Sequence, residues 1–177
     1  MTEQIKSFEE AEGSSFGDIL SKKREKRKVK IGLLTCGYFE YWRMYPETLQ
    51  KNVEADLTKI RNRFKAEYEN IVMSKTVDTL DGAAEAGELF KKEHIDVLVI
   101  VYGTYIPDFI TLHVINCVKN IPVIFFSTQM GEIIDKNGNY EHSLRNSGII
   151  GIAQITGTLK KMNRDYKVIV GSIDDER

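Results

Sequence analysis

From residue 29 onward, short apolar runs alternate with longer runs in which apolar residues recur at helical spacing. The run at 95–101 is apolar almost throughout, which is typical of a central parallel strand covered on both faces. Leu49, Val53 and Leu57 recur four positions apart, as on the buried side of a helix. The pattern predicts strands at 29–35, 71–74, 95–101, 122–126 and 166–170, and helices at 46–64, 79–92, 107–119 and 144–161.

Strands that alternate with helices in this way form right-handed βαβ units. We therefore expect a three-layer α/β/α Rossmann-like, flavodoxin-like domain with a five-stranded parallel sheet in the order 2-1-3-4-5. Ligands of such sheets bind at the carboxyl ends of the strands, near the point where the strand order reverses. Three loops end there, at 36–45, 102–107 and 127–142. Their aromatic, hydroxyl and amide groups are those of a site for a neutral polyol.

The 177 residues divide into a predicted polar, flexible leader at 1–28 and one domain at 29–177. The leader includes a basic run at 22–28, which lacks the interleaved aromatic residues that stack on bases, so a solvated segment is favoured over a nucleic-acid contact. In the whole chain 25 basic residues nearly balance 26 acidic ones, which indicates no nucleic-acid or membrane partner.

Three further features of the sequence indicate a cytoplasmic protein. No apolar run approaches the roughly 20 residues that span a bilayer. The amino terminus lacks the basic and then apolar layout of a secretory signal. Cys36 and Cys117 have neither metal-site nor oxidoreductase spacing, so we expect reduced thiols.

The loop after the first strand excludes several chemistries that this fold supports. It contains one glycine, Gly37, followed by bulky residues, so it is neither a dinucleotide fingerprint nor a P-loop. Cys36 and Arg43 resemble the thiolate and arginine of a phosphatase, but their spacing is one residue too long, and a small buried Cys36 is favoured. Glu40 and Glu132 lie on cleft-side loops, but nothing fixes their separation, so no catalytic residue is named.

The histidines do not form a metal site either, because no pair has ligand spacing. A structural role is favoured for His94 and His113. His142 lies in the last long loop, which should border the cleft, so it is kept as a candidate substrate contact.

Several segments resemble the amino-terminal domain of the L-arabinose and L-fucose isomerase family. The similarity covers 29–177. It is carried by Y-P-E-T-L at 45–49, T-Y-I-P at 104–107, P-V-I-F-F-S-T-Q at 122–129, G-I-I-G at 148–151 and K-V-I-V-G at 167–171. The chain departs from the family at Ser127, where arabinose isomerases place a histidine, and in the aromatic first loop.

The resemblance implies aldose–ketose isomerisation, in which a divalent metal, typically manganese, polarises the sugar while carboxylates move the proton. In the family, the metal ligands and carboxylates come from later domains. This chain is accordingly expected to contain no catalytic residue, metal ligand or cofactor site. The amino-terminal domain contributes to sugar binding in a trimer or hexamer.

Carried over by position, Gln129 and Thr128 are the foremost predicted substrate contacts. Tyr41, Trp42 and Arg43 are secondary candidates, and an aromatic packed in an interface is an equal alternative for Trp42. We therefore expect the substrate-binding and assembly domain of a sugar isomerase, inactive without the catalytic domains. The alternatives are a stand-alone, non-catalytic sugar-binding or regulatory module and a pure assembly domain.

Overall fold

The computed structural model describes residues 28–129 and 138–172. Its strands are β1 Ile31–Cys36, β2 Ile71–Met73, β3 Val97–Tyr102, β4 Val123–Ser127 and β5 Lys167–Val170. Its helices are α1 Phe39–Met44, α2 Leu49–Glu67, α3 Leu80–Lys92, α4 Asp108–Cys117, α5 Tyr140–Arg145 and α6 Gly148–Lys161.

The five strands form one parallel sheet in the order β2-β1-β3-β4-β5, which confirms the predicted fold class and strand order. At the centre, Leu33 of β1 lies opposite Met73 of β2 and Val99 of β3. This order places the carboxyl ends of β1, β3 and β4 side by side. The predicted leader lies outside the described residues, apart from Lys28.

Side chains alternate between the two faces of the sheet, and each face has its own apolar core. We call the face covered by α3, α4 and α6 the first face and the face covered by α1, α2 and α5 the second face. The first core includes Leu34, Phe90, Ile100, Val114, Phe125 and Ile155. The second core includes Leu33, Trp42, Val53, Leu57, Val101 and Leu144.

Two predicted loops contain short helices instead. The loop predicted at 36–45 contains α1, and Pro46 lies in the turn before α2 rather than within it. The helix predicted at 144–161 is divided into α5 and α6. The division occurs because the Ser147 hydroxyl donates to the Leu144 carbonyl (2.6 Å) and accepts from the Tyr105 amide (2.8 Å).

The second face is open over β4 and β5. A cavity of ≈ 370 Å³ lies there, and β5 is exposed along its length, with Val170 75% exposed. The cavity is lined mainly by apolar residues, among them Ile31, Phe64, Val99, Ile124, Phe126 and Ile169. Among the described residues, no helix has the length and apolar character needed to cross a membrane.

Candidate ligand site at the carboxyl edge of the sheet

Three tyrosine rings meet at the carboxyl ends of β1 and β3. The Tyr38 and Tyr41 ring centroids are 5.2 Å apart, and Tyr105 lies 6.0 Å from Tyr38 and 6.3 Å from Tyr41. We call these residues the tyrosine cluster. The chain leaves β1 for the second face and β3 for the first, so the cluster lies at the point where the strand order reverses. We call this position the crevice.

The Tyr41 hydroxyl is neutral at physiological pH. Burial raises the pKa of Tyr41, and the neighbouring hydroxyls of Tyr140, Tyr105 and Tyr38 raise it further. Tyr140 is exposed at the start of α5, in the third of the predicted loops. A neutral phenol donates and accepts hydrogen bonds, and its ring face packs on C–H groups. The crevice therefore has the chemistry of a site for an uncharged polar ligand.

Trp42 packs beneath this crevice rather than facing it. Its indole N–H donates to Asp78 (2.8 Å) and its side chain is 6% exposed. A Cβ at Gly37 would lie 2.4 Å from the indole ring, so the close approach requires glycine at that position. This placement favours the packing interpretation of Trp42 over a ligand contact.

Thr128 and Gln129 follow directly from the carboxyl end of β4. Gln129 is exposed. Thr128 is half-buried, and its hydroxyl oxygen is buried without a hydrogen-bond partner among the described residues. A buried hydroxyl without a partner is uncommon in folded proteins, and a ligand could reach this one only after it is uncovered. Glu132 lies outside the described residues.

Arg43 and His142 differ in their surroundings. Arg43 lies exposed on α1 and pairs with Glu40 (3.3 Å). His142 is half-buried on α5, with its ring Nε2 3.2 Å from the side-chain nitrogen of Asn146. The side-chain oxygen of Asn146 is buried and makes no hydrogen bond in the described chain. The structure thus places His142 beside an unsatisfied amide and leaves Arg43 in solvent.

A buried ion pair fixes the helix that carries Tyr140 and His142. The Arg145 guanidinium donates two hydrogen bonds to Asp56 of α2, at 2.6 and 2.7 Å, and Asp56 is 5% exposed. The hydrogen bond to Asp56 raises the pKa of Arg145. This fork-shaped contact holds α5 on the second face, beside the crevice.

Cys36 lies behind the crevice and is fully buried, as predicted for a small residue at a strand end. Burial raises the pKa of its thiol far above the ordinary value. Nearby, the Tyr102 hydroxyl donates to Thr111 (2.7 Å), and burial raises the pKa of Tyr102 as well. A buried thiol that stays protonated is a poor nucleophile, so these surroundings favour a structural role for Cys36 over a phosphatase role.

The junction between α5 and α6 presses closely on the end of β3. A Cβ at Gly148 would lie 2.4 Å from the Tyr102 carbonyl oxygen, and one at Gly151 would lie 2.7 Å from the Tyr102 ring. Together with the bond from the Tyr105 amide to Ser147, this contact determines where the loop after β3 presents Tyr105.

The sequence analysis predicts Tyr41 as a site residue but does not predict Tyr38, Tyr105 or Tyr140. The positions of Tyr38 and Tyr105, two and three residues after the ends of β1 and β3, were the feature that could have indicated them. Residues at adjacent carboxyl ends of parallel strands converge at one edge of the sheet.

The described residues include no group of three or more His, Cys, Asp or Glu side chains that could hold a metal ion. They therefore do not fit the manganese that the isomerase resemblance implies for the complete enzyme.

No protein-family model and no curated protein matches the chain. Among solved structures, the chain is similar to the lac repressor dimer bound to operator and the anti-inducer ONPF, with 12% identity and a TM-score of 0.38. The match covers 97% of this chain and 56% of that one, so this chain spans little more than half of the repressor's length. A likeness this distant carries no argument about ligand or partner.

Proposed function

We propose that the crevice around the tyrosine cluster binds a small neutral sugar. The observation that carries the proposal is the convergence of Tyr38, Tyr41 and Tyr105 at the point where the strand order reverses. Sugars present C–H patches, which aromatic faces cover, and hydroxyl groups, which neutral phenols and amides bind.

The groups bordering the crevice suit an uncharged ligand. Thr128 offers an unpaired hydroxyl, Gln129 an exposed amide, and Tyr41 a phenol whose raised pKa keeps it neutral. The nearby cations are engaged with carboxylates, Arg43 with Glu40 and Arg145 with Asp56. Their charges are therefore offset, which favours a polyol over an anion at this position.

At a finer level, we propose that this sugar-binding domain belongs to an aldose–ketose isomerase of the L-arabinose and L-fucose type. The support is the resemblance described above, including Thr128 and Gln129 at the tip of the fourth strand. In such an enzyme this chain would bind and orient the sugar and help to assemble a trimer or hexamer. Proton transfer and the metal would belong to other domains.

Calorimetric titration with L-arabinose and L-fucose tests sugar binding. We expect saturable binding that weakens about tenfold in Tyr105→Ala and in Gln129→Ala, equivalent to about 1.4 kcal/mol each. Tyr68→Ala is the matched control, because Tyr68 is also a partly exposed tyrosine but lies at the end of α2 against Phe64. Equal binding by all variants, or no binding of either sugar, would reject the proposal.

The intact mass of the protein in its own organism separates the isomerase domain from a stand-alone module. A mass above 20.3 kDa is expected for a subunit that includes catalytic domains. A mass of 20.3 kDa combined with sugar binding would favour the non-catalytic module. An oligomer that shows no response to sugar would favour a pure assembly domain.

A further inference from the structure

The carboxyl end of β2 carries a second group of unsatisfied polar atoms, apart from the tyrosine cluster. A cavity of ≈ 490 Å³ lies between α2 and the segment that follows β2. Its lining consists of Glu54, Arg61, Met73, Ser74, Lys75 and Thr76. A cavity of this volume is within the range of small-ligand sites.

Two buried donors in this lining have no hydrogen-bond partner. Ser74 is 6% exposed, and its hydroxyl oxygen makes no hydrogen bond with any described residue. The Nε of Arg61 is likewise buried and unpaired in the described chain. Each unpaired buried polar group costs about 1–3 kcal/mol, so two in one cavity wall indicate that a further group is accommodated there.

The other nitrogens of Arg61 are already occupied, which leaves only Nε available. One terminal nitrogen donates to Glu54 (2.7 Å) and to Thr58 (3.3 Å). The other donates to Thr35 (3.2 Å) and to Thr76 (2.5 Å). This network holds the guanidinium in place, so the direction of its free N–H is fixed by the fold.

The charge of the cavity is positive. Arg61 is offset by Glu54, whereas Lys75 is exposed beside Ser74 and gives the lining one uncompensated positive charge. An anionic oxygen accepts hydrogen bonds and donates none, which matches a wall whose unpaired groups are the Ser74 hydroxyl and the Arg61 N–H. A neutral polyol would gain less from the same wall.

We propose that this cavity binds a small anionic group, a phosphate or a carboxylate, held by Ser74, Lys75 and the Nε of Arg61. The site is independent of the proposed sugar site. Both unpaired atoms are covered in this structure. Binding therefore requires the Ser74 side chain to rotate among its staggered positions and the segment at 75–76 to move away from Arg61, so that Nε is uncovered.

Nuclear magnetic resonance titration of the full chain with inorganic phosphate, and separately with acetate, tests the proposal. We expect saturable shifts at residues 73–76 with at least one of the two anions. Phosphate alone would identify a phosphate-type ligand, and acetate alone a carboxylate-type ligand. Shifts that rise linearly without saturating, or that do not include 73–76, would overturn the proposal.

Substitutions of Lys75 and Ser74 test the two proposed contacts separately. Lys75→Met should weaken binding about tenfold, whereas Lys51→Met, which removes an exposed lysine of α2 outside the lining, should leave it unchanged. Ser74→Ala should weaken binding about fivefold without unfolding the protein, since it removes an unsatisfied hydroxyl. Equal weakening by the two lysine variants would show a general charge effect and contradict a defined site. Because sugar binding is measured separately, failure here leaves the proposed function intact.

Discussion

The carboxyl edge of the sheet has two regions with opposite chemistry. At β1 and β3, aromatic rings meet, and the raised pKa of Tyr41 keeps its hydroxyl neutral. At β2, a guanidinium network ties α2 to the strand ends, and a lysine leaves the cavity positive. Fold position alone therefore does not define the chemistry of a site, because one sheet edge carries aromatic side chains in one region and charged side chains in the other.

The two regions are also held in place by different means. The tyrosine cluster includes Tyr41 of α1, a helix that is anchored by Trp42 through Asp78. Tyr41 also interacts with Tyr140 of α5, a helix that is anchored by Arg145 through Asp56. In the β2 region, Arg61 of α2 donates hydrogen bonds to Thr35 at the end of β1 and to Thr76 after β2. Variants at these anchors should therefore affect one region and leave the other intact.

The largest effect is expected from Arg145→Met. The change leaves the buried Asp56 carboxylate without its partner, which should lower the free energy of unfolding by about 3 kcal/mol in urea denaturation. Sugar binding should weaken and phosphate binding should not. Arg43→Met, at an exposed ion pair, is the control and should change stability by less than about 0.5 kcal/mol. Similar effects of the two variants would show that the Asp56 pair does not anchor α5.

Arg61→Lys should give the next largest effect. An ammonium group cannot reproduce the separate contacts with Thr35, Thr76 and Glu54, so a loss of about 2 kcal/mol is expected in the same assay. The variant should abolish phosphate binding while sugar binding persists. Loss of both phosphate binding and sugar binding would show that the two regions are coupled and are not held in place independently.

A smaller effect should appear as a dependence of stability on alkaline pH. Burial raises the pKa of Cys36 above its ordinary value of 9.0, so its contribution to stability is complete below that pH and is lost as the pH rises. The unfolded thiol ionises first, and the slope of the free energy of unfolding should approach a fall of about 1.4 kcal/mol per pH unit as the pH rises above 9.

Urea denaturation between pH 7 and pH 10 under reducing conditions measures this slope. Cys36→Ala should remove most of it, whereas Cys117→Ala, at a half-buried cysteine, should retain it. A wild-type curve that is flat up to pH 10 would contradict the buried, protonated thiol.

The fold could be predicted because the apolar patterns that indicate each strand and helix lie within short segments of the sequence. Apolar runs such as 95–101 and helical spacing such as that of Leu49, Val53 and Leu57 reflect burial on the two faces of a sheet. The short helices α1 and α5 were missed because their limits depend on contacts between distant residues. Ser147 bonds Tyr105, forty-two positions away, and this bond helps to end α5.

The site was predictable only in part, for the same reason. The three loops and Tyr41 follow from strand order, but the meeting of Tyr38 with Tyr105 requires the geometry of the crevice. For Trp42, the sequence predicts a ligand contact and a contact in an interface equally well. Its burial depends on Gly37 and on Asp78, which no local pattern connects to it.

The proposed sugar site at the tyrosine cluster can be tested by amide-resolved nuclear magnetic resonance during a titration with L-arabinose and L-fucose. We expect saturable chemical-shift changes at residues 38–41, 104–106 and 128–129. The shifts of residues 73–76 should stay unchanged until phosphate or acetate is added. Sugar-dependent shifts centred on 73–76, or no saturable shifts at the tyrosine cluster with either sugar, would contradict the proposed sugar site.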